Sequence, residues 1–237
     1  MQYHWIGKGE HVVVFLHGWG GNAKSLECIT SMDMYRCLMI DCSVGHDVRP
    51  FSIYCYAMEV YTLLQSLGIT KCSIVAHSFG GRIAILLSSI FDIVIDKMVL
   101  VASAGLAYRF SLKKQIKQIQ YRIAKYLVKK GWKDQQLLTK YGSAEYRVLS
   151  EREKISFGKV VRSTLEHHLS KIMSSVLLIW GEKDATTPLY FAKRIRRQIK
   201  DCGLIVYPNT DHFVYLQKKN DVKKIIGYFL GGGHESL

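Results

Sequence analysis

The sequence predicts an α/β domain built on a mostly parallel sheet with helices on both faces, interrupted by one inserted helical segment. Three observations predict it. Short apolar runs alternate with amphipathic stretches along most of the chain, which is the pattern of strands buried on both faces. One such run, Cys72-Ser73-Ile74-Val75, passes through Ala76-His77-Ser78-Phe79-Gly80-Gly81 straight into a helical stretch, Arg82-Ile83-Ala84-Ile85-Leu86-Leu87. A strand therefore turns sharply into a helix at a serine. Residues 106–171 break the alternation, being basic, helical in pattern and poor in strands. The length of 237 residues suits one such domain with a small insertion.

The elements follow in order. Val12-Val13-Val14-Phe15-Leu16 reads as a buried strand, and His17-Gly18-Trp19-Gly20-Gly21 after it as a turn that glycine makes possible. Cys37-Leu38-Met39-Ile40 reads as a second strand ending at Asp41. Residues 54–67 fit a helix with Tyr56, Val60, Leu63, Leu64 and Leu67 on one face, closed by Gly68. Strands follow at 72–76, 97–101, 176–180 and 204–207, with helices around 189–200 and 220–230. Residues 1–105 and 172–237 form the predicted core domain, and 106–171 an inserted helical cap. Within the cap Leu112, Ile116, Ile119, Ile123 and Leu127 recur at spacings of three and four, giving one apolar stripe with lysines and arginines on the other faces.

Composition narrows the class. An apolar content of 49% supplies a core and argues against disorder. The first residues lack the layout of a signal peptide. The longest apolar run, Ile83 to Ile95, is broken by Ser88, Ser89 and Asp92, too short to span a bilayer. A soluble, cytoplasmic protein is expected. The six cysteines form no C-x-x-C pair and read as free core thiols. His167-His168 has no third ligand at metal spacing and reads as surface, so no metal site is expected. The net charge of +14 is uneven: residues 106–171 carry 16 Lys/Arg and 5 Asp/Glu, against 17 and 14 elsewhere. Such a segment is either a solvated helix face or a surface for an acidic protein partner, an anionic substrate or a membrane. No nucleic-acid motif accompanies the charge.

The serine turn carries the chemistry. A tight strand-to-helix turn needs small residues two positions either side of the serine, and Ala76 and Gly80 meet that need. Ser78 then stands exposed beside the positive end of a helix. A serine hydroxyl needs a base, a group that orients the base, and oxyanion donors. His212 follows the last strand and Asp184 the preceding one, so the three groups sit at carboxyl ends of parallel strands, where ligands bind. The backbone N–H groups of Trp19 and Phe79 are the candidate oxyanion donors. Plainer alternatives stand beside these assignments. Ser78 could cap its helix, Asp184 could cap the helix after Pro188, and Glu182 is a rival acid. His77 reads as a packing or hydrogen-bonding residue of the elbow, and His17 as a structural hydrogen-bonding residue under the oxyanion loop. The side chains of Trp19 and Phe79 read equally as substrate contacts or wall packing.

The motifs His17-Gly18-Trp19-Gly20, the turn around Ser78, Trp180-Gly181-Glu182-Lys183-Asp184 and Asp211-His212, in that order, resemble the α/β-hydrolase superfamily over nearly the whole chain. The resemblance implies the α/β-hydrolase fold and a serine hydrolase acting on a small-molecule carboxylic ester, a reaction that needs no cofactor or metal. A serine at the turn disfavours the dehalogenase and epoxide-hydrolase branches, which place aspartate there. Two departures stand out: Ala76 replaces the first glycine of G-x-S-x-G, and Asp41-Cys42-Ser43-Val44-Gly45-His46-Asp47 lacks the proline and two glycines common in relatives. The N-terminal part is similar to pimeloyl-carrier-protein methyl ester esterases, which also carry His-Gly-Trp-Gly and a compact helical cap. That likeness implies an acidic carrier protein docking on the basic cap. Carbon–carbon bond hydrolases of ring-fission products, and non-catalytic binding proteins of the same fold, are the alternative functions.

Overall fold

The computed structural model describes residues 1–30, 35–42, 51–109, 112–140 and 149–232. Seven strands form one sheet: β1 (Gln2–Ile6), β2 (Val12–Leu16), β3 (Arg36–Asp41), β4 (Lys71–His77), β5 (Val94–Val101), β6 (Ser175–Gly181) and β7 (Cys202–Tyr207). Their order is β1-β3-β2-β4-β5-β6-β7. All neighbours are parallel except β1 and β3, which pair antiparallel with Gln2 opposite Asp41 and Ile6 opposite Cys37. The six strands expected from their apolar runs are present. β1 is the addition, an edge strand whose residues are exposed or half-buried.

Alternation along each strand splits the core into two layers. Val14 and Leu16 of β2, Ile74 and Ala76 of β4, and Val176, Leu178 and Trp180 of β6 pack on one side. There they meet α1 (Ile53–Ser66), α2 (Phe79–Ile90) and α6 (Tyr190–Gln198). Val13, Phe15, Val75, Leu177 and Ile179 face the other side. That side is covered by a 3₁₀ helix, Ala23–Ile29, and by α7 (Lys219–Gly227). α1 ends where expected: Gly68 has φ +69° and its N–H returns to the Gln65 carbonyl.

Between β5 and β6 lie α3 (Leu112–Lys129), a 3₁₀ turn at Gln135–Lys140, α4 (Glu151–Arg162) and α5 (Glu166–Leu169). α4 opens with a capping box: the Ser150 hydroxyl accepts from Glu153 N–H and the Glu153 carboxylate accepts from Ser150 N–H. The reading of His167-His168 as surface is corrected in its second half. His167 is exposed, but His168 is buried against α2, with Nδ1 3.1 Å from Ser89 Oγ and Nε2 3.3 Å from the Tyr54 hydroxyl. Burial lowers its pKa. The apolar stripe of α3 is largely exposed at Ile116, Ile119 and Ile123. From residue 43 onward, the Asp41–Asp47 loop lies outside the described residues. No helix among the described residues is long and apolar enough to cross a membrane.

Candidate active site

Ser78 leaves β4 with φ 48° and ψ −106°. A non-glycine residue in such a sparsely populated region carries about 1–3 kcal/mol of strain, so its surroundings must impose it. Four backbone hydrogen bonds do so. Ser78 N–H donates to the Val101 carbonyl at 3.0 Å, and the Ser78 carbonyl accepts from Gly81 at 3.1 Å and Ala104 at 3.0 Å. Gly80 N–H donates to the His17 carbonyl at 3.1 Å. Glycine is required twice here: a Cβ on Gly80 would lie 2.2 Å from the Leu16 carbonyl oxygen, and one on Gly81 2.0 Å from Ser103 Oγ. Ala76 is wholly buried between Leu16 of β2 and Leu100 of β5, where a methyl group fits without disturbing the ladder.

The Ser78 side chain makes no capping hydrogen bond to α2. Its Oγ lies 2.9 Å from His212 Nε2, and His212 Nδ1 lies 2.8 Å from Asp184 Oδ2. A carboxylate only accepts, so Nδ1 carries the imidazole proton. Nε2 is then free to accept the serine proton. Asp184 is buried and its other oxygen is also held: Oδ1 accepts from the N–H groups of Thr186 and Thr187, both at 2.8 Å. These contacts turn the loop in on itself and aim Oδ2 at His212. Glu182, the rival acid, instead accepts from Asn209 N–H at 3.1 Å.

Three strands separate Ser78 from His212, so loops must bring them together. Gly181 is where they cross. A Cβ there would lie 2.2 Å from the Asp211 carbonyl oxygen and 2.6 Å from that of Thr210. Lys183 N–H donates to the Thr210 carbonyl at 2.8 Å, tying the aspartate loop to the histidine loop. Trp180, fully buried, donates its indole N–H to the Thr187 carbonyl at 2.7 Å.

Two further histidines beside the site, His77 and His17, hold backbone. His77 Nε2 donates to the His212 carbonyl at 3.1 Å, and its ring centroid lies 4.9 Å from that of His212. Burial first, and then the adjacent His212, pull its pKa down to about 3, so it stays neutral. A Cβ on Gly18 would lie 2.6 Å from His77 Nδ1, so the loop after β2 passes directly over this ring. His17 accepts from Cys42 N–H through Nε2 at 2.8 Å, which leaves Nδ1–H to donate to the Gly18 carbonyl at 2.7 Å. Both side chains are thus hydrogen-bonded to backbone on either side of the turn.

A cavity of about 230 Å³ opens over Ser78 and His212. Gly18, Trp19 and Phe79 line its rim, with the Trp19 and Phe79 rings edge-to-face at 5.1 Å. Phe157, Val160 and Val161 of α4 line it as well, and the Phe157 ring meets that of Trp19 edge-to-face at 5.1 Å. Three further residues were not singled out in the sequence. The Thr187 hydroxyl lies 2.8 Å from Asp184 Oδ2, 3.2 Å from His212 Nδ1 and 2.9 Å from the Ala102 carbonyl. Its place three residues after an aspartate, in Asp184-Ala185-Thr186-Thr187-Pro188, was the available signal. Tyr108 donates its hydroxyl to the Thr186 carbonyl. Arg82, buried in the pocket wall, donates to the Ser163 carbonyl at the end of α4 and so joins the core to that helix. Burial lowers its pKa only to about 10, so it stays charged at neutral pH. Among the described residues no cluster of His, Cys, Asp and Glu is placed to hold a metal ion.

Comparison with known proteins agrees with this architecture. The alpha/beta hydrolase family profile matches residues 13–222. The chain is 27% identical to the AB hydrolase superfamily protein YisY of Bacillus subtilis, over 94% of this chain and 92% of that protein. Among solved structures it is similar to a membrane phospholipase A described as a bacterial virulence factor, with a TM-score of 0.77, 18% identity, and 99% and 83% of the two chains covered. It is also similar to the esterase EaEST of Exiguobacterium antarcticum, with a TM-score of 0.72, 20% identity, and 96% and 94% covered.

Proposed function

Because this chain belongs to the alpha/beta hydrolase family, we propose that it is a serine hydrolase cleaving carboxylic esters through an acyl-enzyme on Ser78. The observation that carries the reading is the hydrogen-bonded series Ser78 Oγ, His212, Asp184 at 2.9 and 2.8 Å, at the mouth of a cavity. His212 Nε2 takes the serine proton as Oγ attacks the ester carbonyl. The new C–O bond pushes the carbonyl electrons onto oxygen, where the N–H groups of Trp19 and Phe79 stabilise the charge. Asp184 holds the imidazole tautomer and balances its positive charge. Collapse breaks the bond to the alcohol, which leaves with the proton from His212. Water, activated by the same nitrogen, then hydrolyses the acyl-enzyme and releases the acid. Each oxyanion donor contributes about 10²–10³ in rate.

In this reading residues 106–171 are the cap, and α4 contributes the wall that meets the substrate. The cavity volume falls below the ~300–1,000 Å³ of drug-sized ligand sites, which suits a short acyl group. None of the six cysteines is in a disulfide, which suits a reducing, cytoplasmic location. A fluorophosphonate probe tests the assignment. Wild type should label and Ser78→Ala should not, with p-nitrophenyl acetate turnover collapsing in His212→Ala. Equal labelling of wild type and Ser78→Ala refutes it and returns the chain to the non-catalytic binding proteins of this fold.

A further inference from the structure

α3 turns an apolar face to solvent. One side of the helix meets protein: Ala124 is buried, and Tyr121 and Val128 are half-buried. About 120–180° around it, at roughly 100° per residue, stand Ile116, Ile119, Ile123 and Tyr126, each 54% exposed. From Leu112 to Lys133 the chain has eight Lys/Arg and no Asp/Glu. Arg122, Lys125, Lys129 and Lys130 are exposed beside the stripe.

The end of the helix extends this face. Gly131 has φ +73°, its N–H donates to the Val128 carbonyl, and Trp132 N–H donates to the Leu127 carbonyl at 2.9 Å. This is a Schellman turn. It folds Trp132, 67% exposed, back until its ring stands edge-on to Tyr126 at 6.4 Å, with Lys130 Nζ 6.0 Å above the Tyr126 ring. The exposed tryptophan is thus held in place beside the stripe.

A helix that is merely solvated would carry polar residues on its outer face, and a core helix would bury its isoleucines. An acidic protein partner would account for the charge but leaves three exposed isoleucines without a use. A largely polar helix with one apolar face, basic flanks and Trp and Tyr at one end matches the boundary between lipid headgroups and acyl chains. We propose that α3 docks this protein on the surface of an anionic phospholipid bilayer. Ile116, Ile119 and Ile123 enter the acyl boundary, Tyr126 and Trp132 lie at headgroup depth, and the basic residues meet the lipid phosphates. The proposal goes beyond ester hydrolysis and does not depend on it, so Ser78→Ala must bind as wild type does.

Vesicle co-sedimentation of the full chain tests it, using equimolar phosphatidylglycerol and phosphatidylcholine against phosphatidylcholine alone. Binding should favour the anionic vesicles and weaken as salt rises. Ile119→Asp with Ile123→Asp should cut it at least tenfold, with thermal stability and p-nitrophenyl acetate turnover unchanged. Ile119→Ser with Ile123→Ser, which adds no charge, must weaken it as well. Lys125→Gln with Lys129→Gln should cost about fivefold per lysine. Failure to bind anionic vesicles, or binding untouched by the isoleucine substitutions, overturns the proposal. So does binding to an acidic acyl carrier protein with none to vesicles.

Discussion

Asp184→Asn is the sharpest perturbation of the site, because the structure shows how the new side chain would settle. Asp184 Oδ1 accepts two backbone N–H groups, from Thr186 and Thr187. Only an oxygen can serve there, so the Asn carbonyl takes that position and its NH₂ group takes the place of Oδ2. The NH₂ group then faces His212 Nδ1, now at 2.8 Å from an oxygen. It donates, so Nδ1 must accept and the proton moves to Nε2. The Thr187 hydroxyl can follow, accepting from the amide while donating to the Ala102 carbonyl 2.9 Å away. Every polar group stays partnered, so the fold should tolerate the change. Nε2, now a donor, can no longer accept the Ser78 proton.

The expected loss in kcat is about 10⁴-fold, the magnitude of a wrong-tautomer triad. That is about 5.5 kcal/mol at 1.36 kcal/mol per tenfold. The assay is p-nitrophenyl acetate turnover with kcat and KM resolved, alongside a thermal melt. KM should change little, since Asp184 does not line the cavity. A kcat within about tenfold of wild type, with the melt intact, would refute Asp184 as the orienting acid.

Two further outcomes follow from the same geometry. His77 has its pKa lowered from 6.5 to about 3 in the fold. The unfolded chain therefore gains a proton that the folded one refuses, and stability is lost as pH falls from about 6.5 towards 3, at up to ~1.4 kcal/mol per pH unit. His77→Gln should flatten the melting temperature across that window, leaving a residual slope from His168, whose pKa burial also lowers; an unchanged slope would remove His77 as the cause. Phe157→Ala removes a cavity-lining ring that meets Trp19 at 5.1 Å. The ratio of kcat/KM for longer over shorter acyl esters should rise, by up to about fourfold for each extra methylene buried; an unchanged ratio would place the acyl chain elsewhere.

Much of the architecture was legible in the sequence, because strands buried on both faces leave apolar runs that need no partner to be recognised. β1 was not. Gln2-Tyr3-His4-Trp5-Ile6 has one neighbour and little burial, and it becomes a strand because β3 offers an open edge. The burial of His168 was equally hidden, since it depends on Ser89 and Tyr54 from two other helices. The apolar stripe of α3 was visible as a period, but a period does not say whether its face meets protein or water.

The order of amino acids was enough to put a serine in a tight strand-to-helix turn, with an acid and a histidine after later strands. Those facts are local, carried by small residues at 76, 80 and 81 and by apolar runs that end at each motif. Which atoms meet was left to the packing of distant segments. That packing set Asp184, rather than Glu182, beside His212 Nδ1, brought the Thr187 hydroxyl to the same pair, and hydrogen-bonded His77 to the His212 carbonyl. These choices rest on loops crossing at Gly181 within a backbone's width, a condition set by residues far apart in the chain and by the sheet order between them.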